Sequence, residues 1–205
     1  DMEHATLRVA PNSTYKIYDA LFGLEESVIT PKNSFIAWNG EIYPFEAWNA
    51  DQTLQSAMNS SVNWYFQTVD EQLGASDVYS YIQEIGYGNE NMSGDFSTYW
   101  MESSLEISPI EQVELLAKLQ NNSFGFAPEN ISTVKDAICL SSSDAGTFYG
   151  KTGTGRVNGQ YVNGWFIGYI ETADNTYFFA TNISADSDAT GGNATEITMS
   201  ILSDM

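Results

Sequence analysis

Ser13-Thr14-Tyr15-Lys16 places a hydroxyl and an amine three residues apart at the mouth of an apolar stretch, "PNSTYKIYDALFGLEE". On a helix, positions i and i+3 share a face, so the Lys16 amine reaches the Ser13 hydroxyl. A helix N-terminus favours an alkoxide or a tetrahedral oxyanion there. A lysine desolvated over apolar Ile17 and Leu21 loses its proton readily and acts as a base. The chemistry would be nucleophilic attack by Ser13 with Lys16 as general base. The same residues also describe a helix capped by Ser13 with an exposed lysine. A chain this long holds about one Ser-x-x-Lys by chance, and a second stands at Ser132-Thr133-Val134-Lys135.

Two further motifs bear on the choice. "NSSVNWYF" (59–66) contains Ser61-Val62-Asn63, and a second register, Ser60-x-Val62, is open. "YGKTGTG" contains Lys151-Thr152-Gly153. On a strand, the Thr152 hydroxyl and Lys151 ammonium would face a substrate carboxylate, and Gly153 would allow close backbone approach. Alone, the first is an ordinary polar turn before an aromatic helix and the second a hairpin strand with one lysine. Together, Ser-x-x-Lys, Ser-x-Asn and Lys-Thr-Gly in this order match the constellation of penicillin-recognising serine acyltransferases. Ser132 fails that test, because no Ser-x-Asn separates it from Lys151.

The elements that must position these groups are readable from periodicity. Residues 13–25 read as a helix with Ile17, Ala20, Leu21 and Leu24 on one face. Residues 33–50 are loop-like, and 53–73 form one helical pattern. A short helix runs from Ser76, as cap, to Ile85; a long loop spans 86–104. Ser108-Pro109-Ile110-Glu111 is a capping box opening a helix to 120. Another helix is expected over 130–140. The pattern then changes to strands: "TFYGKTGTG" and "QYVNGWFIGYIE" flank Asn158-Gly159, a strong hairpin turn. "NTYFFATNIS" completes a three-strand antiparallel meander, and Asn193 caps a final helix to 202. Helices, then strands, then a helix make an α+β pattern.

Composition narrows the function. The 205 residues suffice for one sizeable domain or two small lobes, and 42% apolar content with five Trp excludes a disordered chain. Net charge is −20 with Arg8 and Arg156 the only arginines, so a nucleic acid would be repelled. His4 is the only histidine, which argues against a Ser-His-Asp triad or a histidine-rich metal site. Cys139, the only cysteine, sits in "DAICL" and is expected in the core. No apolar run reaches the length of a membrane span. With no visible signal peptide and no initial Met, the chain reads as a piece cut from something longer. N-x-Ser/Thr triplets recur, one covering Ser13 itself, which favours a bacterial source.

At this point "STYK", "SVNWYF", "YGN" (87–89), "YWMESSLEIS" (99–108), "KTGTG" and "NGWFIGYIE" (163–171) resemble class D β-lactamases and, more closely, the sensor domains of BlaR/MecR-type β-lactam receptors. The resemblance runs from Ser13 nearly to the end. It implies an antiparallel sheet flanked by helices plus an all-helical lobe, roughly 27–135, inserted between the Ser13 helix and a C-terminal sheet, 145–205, within one domain, 1–205. It makes Ser13 the acylated nucleophile, Lys16 its base, and Ser61 a proton relay that touches substrate. Lys151 and Thr152 would hold the β-lactam carboxylate, with Gly153 and Thr154 nearby. The N–H groups of Ser13 and Thr154 would form the oxyanion hole. Trp100 would abut Lys16. No metal or other cofactor is implied, though family members can carry CO2 on this lysine as a carbamate. The implied partners are β-lactam antibiotics and a membrane-spanning transducer of the same receptor. The implied place is the extracellular face of the cytoplasmic membrane of a Gram-positive bacterium.

Two departures stand out. The family has several dozen residues, including sheet strands, before its reactive serine; here twelve precede Ser13, leaving a sheet edge exposed or paired otherwise. No arginine stands near the C-terminus to bind the substrate carboxylate, which puts that contact on Lys151 and Thr152. Sensor and hydrolase share acylation and differ in whether the acyl group leaves. Class D hydrolases usually carry Ser-x-Val in the second motif, and the sensors carry Ser-Val-Asn. An Asn63 amide facing Lys16 would disfavour the carbamate that activates the deacylating water. The expectation is therefore a sensor with a persistent adduct, with a class D hydrolase as the alternative.

Overall fold

A computed structural model describes residues 2–203, so the expected domain ends at 1 and 204–205 lie outside the described residues. Helix α1 (Met2–Thr6) leads to a 3-10 turn, Asn12–Thr14, that runs into α2 (Lys16–Glu25). There follow α3 (Leu54–Asn59), α4 (Asn63–Leu73), α5 (Ala75–Ile85), α6 (Pro109–Gln120) and α7 (Pro128–Ala137). Strands β1 (Cys139–Ser143), β2 (Gly146–Val157), β3 (Gln160–Glu171) and β4 (Thr176–Ser184) form one antiparallel sheet in chain order, and α8 (Gly191–Ser203) closes the chain.

Helix α2 is the hub. Every residue from Lys16 to Leu24 is buried, so the helix is enclosed on all sides rather than amphipathic. It packs against α4 and α7, while α8 packs on β3 and α6 on β4. Side chains on β3 alternate: Trp165, Ile167 and Tyr169 join the core around α2. Phe166 instead clusters with Phe148 and Phe179.

The capping box is present, with Ser108 accepting from the Glu111 N–H and Glu111 accepting from the Ser108 N–H. Asn158 and Gly159 take φ of 49° and 84° and turn the β2–β3 hairpin. Other expectations are corrected. The pattern over 53–73 is two helices broken at Ser60–Val62, where Ser61 holds φ of 51°. Helix α5 begins at Ala75 after Gly74, with no side-chain cap from Ser76. The helix expected over 130–140 ends at Ala137, and Cys139 opens a fourth strand. The sheet therefore begins before 145, and Cys139 is half-buried rather than core. The last helix starts at Gly191, and Thr190 Oγ1, not Asn193, accepts the N–H that caps it. Helix α1 carried no periodic signal over its five residues. Among the described residues β4 has no strand on its outer side.

Candidate active site

Ser13 lies in the 3-10 turn just before α2, and that turn is held from several directions. Asn12 takes φ of 50° and donates its N–H to Trp100 O at 2.9 Å. Its side chain donates to Glu102 Oε1 at 2.7 Å. Thr14 Oγ1 donates to Pro11 O and accepts from Gln112 Nε2. Ser13 Oγ caps no helix; it accepts a hydrogen bond from Lys16 Nζ at 2.8 Å.

Lys16 is wholly buried. Its nitrogen also donates to Ser61 O at 2.8 Å and Asn63 Oδ1 at 2.6 Å. The rings of Trp100 and Phe66 lie 5.1 and 5.5 Å from the nitrogen. Burial pushes the Lys16 amine well below the usual lysine range, Lys151 pushes it further, and Asp19 opposes. The break between α3 and α4 therefore has a role. A left-handed backbone at Ser61, unusual for a residue with a side chain, aims its carbonyl at Lys16 and its hydroxyl at Lys151. Lys151 Nζ donates to Ser61 Oγ and to Thr152 O. Burial lowers its pKa to about 7. The register is Ser61-x-Asn63: Ser60 instead gives its carbonyl to Trp48 Nε1.

The result is two hydrogen-bonded pairs at the base of a cleft of about 610 Å³, Ser13 Oγ with Lys16 Nζ and Ser61 Oγ with Lys151 Nζ, linked where Lys16 donates to the Ser61 backbone carbonyl. The first pair can take a proton from the Ser13 oxygen, and the second can supply one to a leaving group nearby. Thr152 and Thr154 line the cleft. Gly153 does not: a Cβ there would stand 2.8 Å from Pro11 O, so the close approach it permits is that of the Ser13 turn to β2. Ser132 lies inside α7 rather than capping it, and Lys135 is half-buried and paired to Glu171 at 2.7 Å, so this Ser-x-x-Lys is neither a capped helix with an exposed lysine nor part of the cleft. Among the described residues no group of His, Cys, Asp and Glu side chains is arranged to hold a metal.

The structure adds residues that motif reading passed over. Glu102 lines the cleft and accepts from Asn12 and Asn163, tying the loop after Trp100 to the Ser13 turn and to β3. Arg156 lines the same cleft. Behind Lys16, Asp19 and Asp70 are buried, and Asp19 Oδ1 and Oδ2 and Asp70 Oδ1 find no donor. Two buried carboxyls side by side resolve this by sharing a proton. Burial raises both, Asp70 to about 7, and the charge of Asp70 raises Asp19 further. Tyr99 donates to Asp70 Oδ2 at 3.1 Å. An acidic residue three places after Lys16 on an otherwise apolar helix was the available signal.

The raised carboxyl fixes a sign. A folded-state pKa above the unfolded one contributes stability fully present below about pH 4 and lost as pH rises to about 7. Asp70→Asn keeps the Tyr99 bond without a titrating proton. Its melting temperature should match the parent near pH 4.5 and exceed it at pH 8 by about 5 °C, on the order of 2–3 kcal/mol. A thermal melt at each pH checks this, and a gap that does not widen with pH contradicts a raised Asp70.

Comparison with known proteins places the architecture. A model of the penicillin binding protein transpeptidase domain matches residues 2–203. The regulatory protein BlaR1 of Bacillus licheniformis is 49% identical over 98% of this chain and 33% of its own length. The solved C-terminal domain of the Bacillus licheniformis BlaR penicillin-receptor superposes with a TM-score of 0.95 at 47% identity, covering 100% of this chain and 82% of that one. A probable beta-lactamase, YbxI of Bacillus subtilis, is 37% identical over 98% of this chain and 73% of its own length. The chain thus spans about a third of the length of the BlaR1 relative. Sheet order, the Ser13 turn and the paired lysines sit inside a match that covers almost every described residue, and the chain belongs to the penicillin binding protein transpeptidase domain family.

Proposed function

We propose that this chain is the β-lactam-sensing domain of a membrane receptor, and that Ser13 is acylated to a long-lived adduct. Neutral Lys16 takes the Ser13 proton as Oγ attacks the lactam carbonyl. The N–H groups of Ser13 and Thr154 steady the oxyanion. The C–N bond then breaks, and the proton reaches the lactam nitrogen through Ser61, with Lys151 beside it. Lys151 and Thr152 hold the ring carboxylate, and Trp100 keeps water from the amine. The adduct biases a membrane-spanning transducer of the same receptor, on the extracellular face of the cytoplasmic membrane in a Gram-positive bacterium, and so leads to induction of resistance genes. The solved relative named as a penicillin-receptor supports this reading, and the length of the BlaR1 relative leaves room for a transducer.

One observation carries the choice of sensor over hydrolase. Asn63 Oδ1 accepts from Lys16 Nζ at 2.6 Å, so the amine has a polar partner that competes with carbamate formation. The hydrolase alternative keeps the same acyl-enzyme and rests on the beta-lactamase relatives. Intact-mass measurement after mixing with benzylpenicillin separates them. A mass increase of one penicillin that persists for an hour is expected. Loss of the adduct within seconds would sink the sensor reading and leave the hydrolase.

A further inference from the structure

Arg156 is an unusual cation in this protein. Seven Lys and Arg stand against 27 Asp and Glu. Arg8 and Lys135 are paired with Glu111 and Glu171, and Lys16 and Lys151 are buried at the base of the cleft. Lys32, Lys118 and Arg156 have no acidic partner among the described residues, and of these three Arg156 alone lines the cleft. Glu102, in the same cleft, is occupied by the Asn12 and Asn163 amides. The guanidinium is oriented instead by neutral groups. Its Nε donates to Gly159 O at 3.2 Å, and its carbon lies 5.7 Å from the ring centre of cross-strand Tyr161. The β2–β3 register shifts between Gly155 and Arg156, an irregularity of the kind that re-aims side chains beside sites.

Position along the strand gives the ligand group. Residues two apart on a strand share a face, and Thr152, Thr154 and Arg156 all line the cleft. Arg156 stands about 13 Å along β2 from Thr152, at ~3.3 Å per residue. In a β-lactam the ring carboxylate and the acylamino side chain lie on opposite sides of the scissile carbonyl. With the carboxylate at Lys151 and Thr152, the side chain extends toward Arg156. Tyr161 lies beside Arg156, and Phe45 and Trp48 add aromatic surface to the same cleft.

We infer that Arg156 is a specificity residue that recognises an anionic group on the acyl side chain of the β-lactam, at the end of the cleft opposite the ring-carboxylate site. The inference rests on the acylation reading above. It selects side chains that pair an aryl ring with a carboxylate.

Carbenicillin and benzylpenicillin differ by one side-chain carboxylate and test it. Second-order acylation rates for both would be measured in the wild type, Arg156→Gln and Arg156→Glu. The carbenicillin-to-benzylpenicillin ratio should fall about 3- to 5-fold in Arg156→Gln. It should fall further in Arg156→Glu, where ampicillin, with a side-chain ammonium, should gain relative to benzylpenicillin. The wild-type ratio should shrink with added salt and the Arg156→Gln ratio should not. Both substrates slowing equally, leaving the ratio within twofold, would overturn the inference and place Arg156 at the ring carboxylate or in hairpin structure. A wild type that neither penicillin acylates would overturn the acylation reading itself.

Discussion

Lys16→Met should slow acylation of Ser13 by benzylpenicillin at least ~10³-fold, while the folded protein melts within about 3 °C of the wild type. General-base assistance contributes typically ~10²–10⁴-fold, and the Lys16 amine is the base within reach of Ser13 Oγ, at 2.8 Å. Burial, Trp100 and Phe66 favour the neutral amine, and Lys151 adds repulsion against a second charge. Lys16 is therefore ready to accept a proton where an exposed lysine is not. Methionine fills the same stem. It removes the cost of burying an ionisable amine and loses three hydrogen bonds, one of which leaves the Ser61 carbonyl short of a donor. These effects oppose each other, so stability changes little while chemistry collapses. Labelling with a fluorescent penicillin beside a thermal melt reads both. A variant that labels at a tenth of the wild-type rate or faster removes Lys16 from the role of base. In the wild type the acylation rate should rise with pH and level off below the usual lysine range, because the lowered amine pKa sets the acid limb.

Much of this site was legible because three weak motifs had to agree. Ser13-x-x-Lys16 alone was matched by Ser132-x-x-Lys135, which the structure shows as a half-buried lysine paired to Glu171. The Ser61 and Lys151 motifs separated the two. Local chemistry also located α6, through its capping box, and the β2–β3 turn, through Asn158-Gly159. What stayed hidden is tertiary. The break at Ser60–Val62 interrupts no apolar periodicity, since Met58 and Val62 are both buried. It is imposed by the need to bring Ser61 between two lysines. Strand β1 is a run of serines after "DAIC", with neither alternation nor β-branched residues, and it forms because β2 offers it a paired edge. Gly153 was read as room for a ligand, and the room belongs to Pro11 O. Arg156 follows Thr152 and Thr154 at strand spacing, so alternation pointed to it, but the motif ended at Gly153.

Asn63→Val should shorten the lifetime of the penicilloyl adduct by about 10–100-fold, and added bicarbonate should shorten it further. In the wild type Asn63 Oδ1 sits 2.6 Å from Lys16 Nζ, while its Nδ2 contacts Met101 S at 3.1 Å. The amide thus holds the amine toward Ser61 O and occupies the space beside it. Valine offers no acceptor, which makes the neutral amine relatively more favourable in its apolar surroundings. A neutral amine adds CO2 to give a carbamate and releases one proton. The carbamate oxygen then provides a base for the water that attacks the acyl carbon. The size of the effect is bounded. Turnover at ~10 s⁻¹ and one release in hours differ by about 6 kcal/mol in barrier. A general base contributes roughly 3–5 kcal/mol of such a difference. One substitution therefore makes a slow hydrolase, because the water must also be positioned. Intact-mass time courses at pH 8, with and without bicarbonate, measure this directly. An unchanged lifetime would separate Asn63 from adduct persistence. Shortening that ignores bicarbonate would assign the deacylating base to the free Lys16 amine, and the wild-type contact at Asn63 would then act by withholding that amine from water.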